Sequence, residues 1–161
     1  MPALFRIGFT GTQQGLTARQ YNALYKTLDS FRIGPVTVEV HHGDCVGADA
    51  QFHEIATGFG FLTVGHIPDD DSKRAHCTFH EQREPLPYLI RNRNIVNECE
   101  VLIACPKEDR MVARSGTWAT VRHAVQTNRP IVFIYQSGIT VWPEAYDPTD
   151  LWPEADDETA R

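Results

Sequence analysis

PVTVEVHHGDCVGADAQFHEIATGFG, residues 35–60, is the stretch whose reading decides the fold. Its first part alternates apolar and polar residues, the period of a strand. Its last part sets Phe52, Ile55, Ala56 and Phe59 on one face of a helix that begins at Ala48 and stops near Gly60. Between them lie two glycines and two aspartates among small residues. Glycine adopts backbone conformations that other residues avoid and lets a ligand come close to the main chain. A strand, a tight loop and a helix therefore follow one another, with room for a ligand at the junction.

The same order recurs along the chain. LFRIGF (4–9) runs into GTQQG and then a helix that Thr17 can cap, with Tyr21, Leu24 and Leu28 at helical spacing. FLTVGHIP reads as a third strand. Residues 69–86 have no clear period and form an excursion with some helix. PYLIRNRNIVNEC reads as a helix with Pro87 in its first turn. VLIACP is apolar throughout, as expected of a strand covered on both faces. SGTWATVRHAVQTN gives a helix capped by Ser115, with Trp118, Val121 and Val125 on one face, and RPIVFIY closes the pattern as a fifth strand. Alternating strands and helices imply right-handed crossovers. The expected fold is α/β, a three-layer Rossmann-like sandwich with a mainly parallel sheet of about five strands.

The 161 residues suit one domain, here residues 1–140, followed by an acidic, proline-containing tail over 141–161. Residues 144–161 hold seven acids and one base and so account for the whole net charge of −6, while residues 1–143 carry fourteen of each sign. A neutral body lowers, without abolishing, the expectation of nucleic acid as a partner, because phosphate neutralisation supplies most of such affinity. No apolar run suits a secretion signal or a membrane span. The four cysteines form no CxxC pair. Cytoplasmic free thiols and no membrane partner are the expectation.

Three glycine-containing loops, GTQQG, GDCVGAD and RSGTW, each follow a strand and precede a helix, so they should meet at the carboxyl edge of the sheet, where such folds bind ligands. Helix starts offer unpaired N–H groups suited to phosphate. Thr10, Gly11 and Thr12 in the first loop, and Arg114, Ser115, Gly116 and Thr117 in the third, are candidates to form a phosphate-binding loop. Arg91 and Arg93 can add positive charge. Gly43, Asp44, Gly47 and Asp49 are candidates for a sugar or base, since carboxylates repel phosphate but accept hydroxyl and amine protons. Asp44 is also a candidate general base. His53 reads as a packing residue. GFTGTQQG is neither a dinucleotide fingerprint nor a Walker loop, and no cofactor is expected. His76, Cys77 and His80 have an HCxxH spacing, but without a CxxC pair no metal is expected.

These residues resemble a known group. HGDCVGADAQFH resembles the SGxARGIDxxAH segment of the DNA-processing protein A family, with Gly43, Gly47, Asp49 and His53 matching. RNRNIV (91–96) resembles that family's RNRxIA, and RSGTWATVRHAVQTNRPIVFI its serine–glycine loop, helix and strand. The wider group is the SLOG superfamily of Rossmann-like proteins, and the nearest likeness is to its small YspA/YpsA-like members. The resemblance implies a pocket for a nucleotide or nucleotide-derived small molecule, sensed or processed, and pairing of two copies into a homodimer. It also implies two alternatives. One is single-stranded DNA binding, against which Val46 stands where that family has a basic residue. The other is a nucleotide N-glycosidase like the lysine-decarboxylase-like phosphoribohydrolases. In that reading Asp44 or Asp49 would be catalytic, since Val121 stands where the catalytic glutamate belongs.

Overall fold

The structure is a computed structural model, and residues 3–32 and 34–145 are described. The elements follow in the order β1 (Leu4–Gly11), α1 (Ala18–Ser30), β2 (Thr37–His42), α2 (Ala48–Gly58), β3 (Leu62–Gly65), β4 (Glu81–Gln82), α3 (Tyr88–Glu98), β5 (Val101–Cys105), α4 (Gly116–Gln126), β6 (Ile131–Ile134) and β7 (Thr140–Val141). The sheet order is β4-β3-β2-β1-β5-β6-β7. All neighbours are parallel except β6 and β7. The strand order reverses between β1 and β5.

Side-chain alternation explains why both faces of this sheet are covered. Val101, Ile103 and Cys105 of β5, with Val132 and Ile134 of β6, face a core that also holds Leu24 and Leu28 of α1 and Phe52, Ile55 and Ala56 of α2. Leu102 and Ala104, with Ile131 and Phe133, face Val96 of α3 and Trp118, Val121 and Ala124 of α4. Phe9 and Phe52 stack at 4.2 Å between ring centroids. Thr17 and Gln20 cap α1 reciprocally, with Gln20 N–H 3.1 Å from Thr17 Oγ1.

Among the described residues the sheet has seven strands where about five were expected. The two extra ones, β4 and β7, are two residues each and lie at the edges of the sheet. Two residues carry no readable period, and both residues of β4 are exposed; short, polar edge strands of this kind blunt pairing with other chains. The excursion contains a 3-10 turn, Asp71–Lys73, besides β4. The sheet takes in Thr140 and Val141, a second 3-10 turn spans Pro143–Ala145, and the rest of the expected acidic tail lies outside the described residues. No helix among the described residues is long and apolar enough to cross a membrane.

Candidate functional site

At the carboxyl edge of the sheet, where the order reverses, a cavity of 560 Å³ opens. That volume is in the range of small-molecule pockets. Thr10, Gly11, Thr12, Gly43, Asp49, Arg91, Arg114, Ser115, Gly116 and Thr117 all line it, so the three loops meet there. Asp44, Gly47 and Arg93 do not.

The loops are tied to one another by main-chain bonds. Thr12 N–H donates to the Cys105 carbonyl at 3.2 Å, and Thr12 C=O accepts from Ala48 N–H at 3.0 Å. The end of β1 is thereby fixed to the end of β5 and to the start of α2. Gly47 has φ +88°, and a Cβ there would collide with the Gln13 carbonyl oxygen. At Gly43 a Cβ would run into the Arg91 guanidinium. Gly43 and Gly47 of the second loop thus serve close packing against neighbouring protein groups.

Arg91 is 4% exposed and spans from α3 to the second loop. Its Nη1 donates to the carbonyls of Gly43 and, at 3.2 Å, His66; its Nε donates to Asn92 Oδ1 at 2.8 Å; and it lies 5.1 Å above the Tyr88 ring. Most of its hydrogen-bonding capacity is spent on the fold. Arg93 is exposed on another side of α3.

The two aspartates have different environments. Asp44, fully buried with φ +57°, accepts from Arg74 Nε at 2.8 Å and from Cys77 N–H at 2.9 Å. Val46 N–H donates to the Lys73 carbonyl and Ala75 N–H to the Asp44 carbonyl, at 2.9 and 2.8 Å. Asp44 therefore pins the excursion to the second loop and brings Lys73 to the cavity rim. Asp49 lines the cavity. Its Oδ2 accepts from Gly43 N–H at 3.2 Å and Cys45 N–H at 3.1 Å, and its Oδ1 takes no hydrogen bond from the described residues. Burial raises its pKa to about 6, against the lowering effect of Arg91 and the two N–H groups. Asp49 is thus an acid that titrates near neutrality, with one oxygen free.

The third loop presents the start of α4. Ser115 Oγ accepts from Trp118 N–H at 3.2 Å, while Gly116 and Thr117 N–H lie in the first turn, where a helix provides no acceptor. The Trp118 indole donates to Glu108 at 3.1 Å, which holds that carboxylate beside the cavity. Lys73, Lys107 and Arg114 line the rim, are exposed and form no ion pair with the described residues. Three unpaired cations, two free amides and one buried acid can together bind an anion at one end of a ligand and a hydrogen-bonding group at the other.

Solved structures with this arrangement of strands and helices include the molybdenum cofactor binding protein of Rippkaea orientalis (19% identity, TM-score 0.60, covering 84% of this chain and 77% of that one). DNA processing protein A of Streptococcus pneumoniae matches at 17% identity and TM-score 0.59, over 81% of this chain and 50% of its own length. The Moco carrier protein of Chlamydomonas reinhardtii matches at 20% identity and TM-score 0.54, over 95% and 86%. This chain has the Rossmann-like fold of these structures. No protein-family model matches it, and no curated protein sequence matches it significantly.

Within this fold, sequence reasoning missed Lys73 and Lys107. Lys107 follows β5 directly, and the rule that ligands sit beyond the carboxyl ends of strands could have found it. Lys73 reaches the rim through pairing of the excursion with Cys45 and Val46, which leaves no local pattern. The HCxxH set does not assemble: His76 is exposed, His80 accepts from Thr63 N–H at 3.1 Å at the sheet edge, and Cys77 lies instead beside His42 and His53.

Proposed function

We propose that the protein binds a nucleotide or a nucleotide-derived small molecule in the cavity at the β1–β5 switch point. The observation that carries this reading is the trio of cations, Lys73, Lys107 and Arg114, that line one cavity without an ion pair among the described residues, in a chain of net charge −6. They and the Gly116 and Thr117 amides would hold phosphate, and Asp49 Oδ1 would accept from a sugar hydroxyl or a base amine. Neighbours of the same fold are named as binding or carrying the molybdenum cofactor, and one, DNA processing protein A of Helicobacter pylori, as binding single-stranded DNA. These names support a ligand-binding role for the fold and leave the ligand's class to experiment.

Titration calorimetry with AMP, ADP and ATP tests the reading. We expect saturable binding of one ligand per chain that weakens at least tenfold in Arg114→Glu and less in Arg114→Lys. Binding of each nucleotide that is equal in wild type and Arg114→Glu would refute the assignment.

A second reading, N-glycosidase activity, is favoured by one observation: Asp49 is buried, faces the cavity, and has a free oxygen and a pKa near neutrality, as acid–base groups require. It predicts release of free base from a nucleoside monophosphate, abolished in Asp49→Asn. No base release by the wild-type protein removes it.

A further inference from the structure

Apart from the cavity, the described residues gather two triads of metal-ligating side chains: His42, His53 and Cys77, and His41, His66 and Glu98. In each triad the ligand atoms lie within 4.8 Å of one another. Hydrogen bonding separates them.

His42 Nδ1 accepts from Asp44 N–H at 3.0 Å, so a neutral His42 ring must carry its proton on Nε2, which donates to His53 Nδ1 at 2.8 Å. A metal on His42 Nε2 would force that proton to Nδ1, donor against donor. The two histidines of the first triad thus already spend their facing nitrogens on each other.

The second triad is the reverse case. His41 Nε2 donates to Glu39 Oε1 at 2.7 Å, which leaves Nδ1 with its lone pair pointing inward. Second-shell carboxylates orient metal-bound imidazoles in the same way. His66 Nε2 lies 2.8 Å from His41 Nδ1 and 3.0 Å from Glu98 Oε2, and those last two atoms are 3.7 Å apart. Tetrahedral coordination at metal–ligand distances of about 2.0–2.2 Å puts ligand atoms about 3.3 Å apart, so shifts of a few tenths of an ångström suffice. Glu98 Oε2 is buried and has no hydrogen-bond partner among the described residues, because the His66 proton points at His41, while Oε1 is held by Arg83 at 3.0 and 3.1 Å. When a metal takes His66 Nε2, the proton passes to Nδ1, which makes no hydrogen bond with the described residues. Both rings stay neutral and no proton need be released.

The surrounding charge suits a divalent cation. Among the described residues, the arginines that pair with Glu39, Glu81, Glu98 and Glu100 are Arg6 and Arg83. Arg91, beyond His66, is opposed by Asp49. His41 and His66 are 0% and 2% exposed.

We propose that His41 Nδ1, His66 Nε2 and Glu98 Oε2 bind one divalent transition-metal ion of the zinc type, separate from the ligand cavity. Two imidazoles and one carboxylate are a donor set for such ions, with the fourth position left for water. The ion would fasten β2 and the end of β3 to the last turn of α3. The same helix carries Arg91 and its grip on Gly43, so metal occupancy would stiffen the cavity wall.

The test uses chelator-dialysed full-length protein titrated with zinc by calorimetry and with cobalt by visible absorption. We expect one equivalent per chain, a melting temperature that rises with zinc, and cobalt bands of nitrogen and oxygen ligands without thiolate charge transfer. Glu98→Gln should lose at least tenfold in affinity, and Cys77→Ser should bind as wild type does. Absence of stoichiometric metal in the wild-type protein overturns the proposal. A thiolate band, or loss in Cys77→Ser with retention in Glu98→Gln, overturns it in favour of the first triad.

Discussion

Replacing Asp49 with asparagine should make the fold more stable at neutral pH. The substitution keeps shape, and the amide oxygen can still accept from Gly43 and Cys45 N–H. Burial raises the Asp49 pKa from 3.8 to about 6. The sign follows from proton linkage: a carboxyl with a raised folded-state pKa binds more protons folded than unfolded between those values, so stability falls as pH rises through that window. The full shift corresponds to about 3 kcal/mol lost by pH 7. The asparagine variant escapes this loss. Urea unfolding of both proteins at pH 4 and pH 7.5 should give nearly equal stabilities at the lower pH. At the higher pH the variant should lead by up to about 3 kcal/mol, or roughly 6–12 °C in melting temperature for a chain of this size. A difference between the two proteins that does not change with pH would refute the reasoning. A residue kept at the expense of stability is expected at a functional position, so the same variant should bind ligand more weakly than wild type.

Three further outcomes follow from the geometry. Gly47→Ala forces a side chain into the left-handed region and against the Gln13 carbonyl, and should cost about 1–3 kcal/mol in chemical denaturation. Arg74→Met leaves the fully buried Asp44 carboxylate without its ion partner; breaking such a pair costs about 3–5 kcal/mol, and limited proteolysis should then cut within residues 69–86 before the rest of the chain unfolds. Lys107→Ala removes an exposed cation at the rim that has no ion partner among the described residues, so its melting temperature should match wild type while nucleotide affinity falls and becomes less sensitive to salt.

What could be read from the sequence was whatever repeats locally. The apolar run VLIAC announced a strand buried on both faces and IVFI a further strand, and Thr17 and Ser115 marked helix starts that the structure keeps. The meeting of the three glycine loops followed from topology alone, because each lies after a parallel strand. What could not be read depends on pairings across distance. Asp44 looked like a ligand group because Arg74, thirty residues on, gives no sign of its partner. Arg91 looked like a free cation because its acceptors are carbonyls of Gly43 and His66, which every residue type provides. The edge strands failed for a different reason, since two residues hold no period. His41 and His66 come together only because β2 and β3 pair in parallel with His41 opposite Val64, which places His66 two residues further on.

The central claim is tested most directly by thermal melting of the full chain against a panel of nucleoside mono-, di- and triphosphates, NAD, ADP-ribose, the molybdenum cofactor and a short single-stranded DNA. A ligand at one hundred times its dissociation constant stabilises the folded state by about 2.7 kcal/mol, which is about 5–10 °C here. The account predicts such a rise with at least one nucleotide, and its loss in Arg114→Glu. A rise with single-stranded DNA alone, or no rise with any nucleotide at saturating concentration, would contradict it.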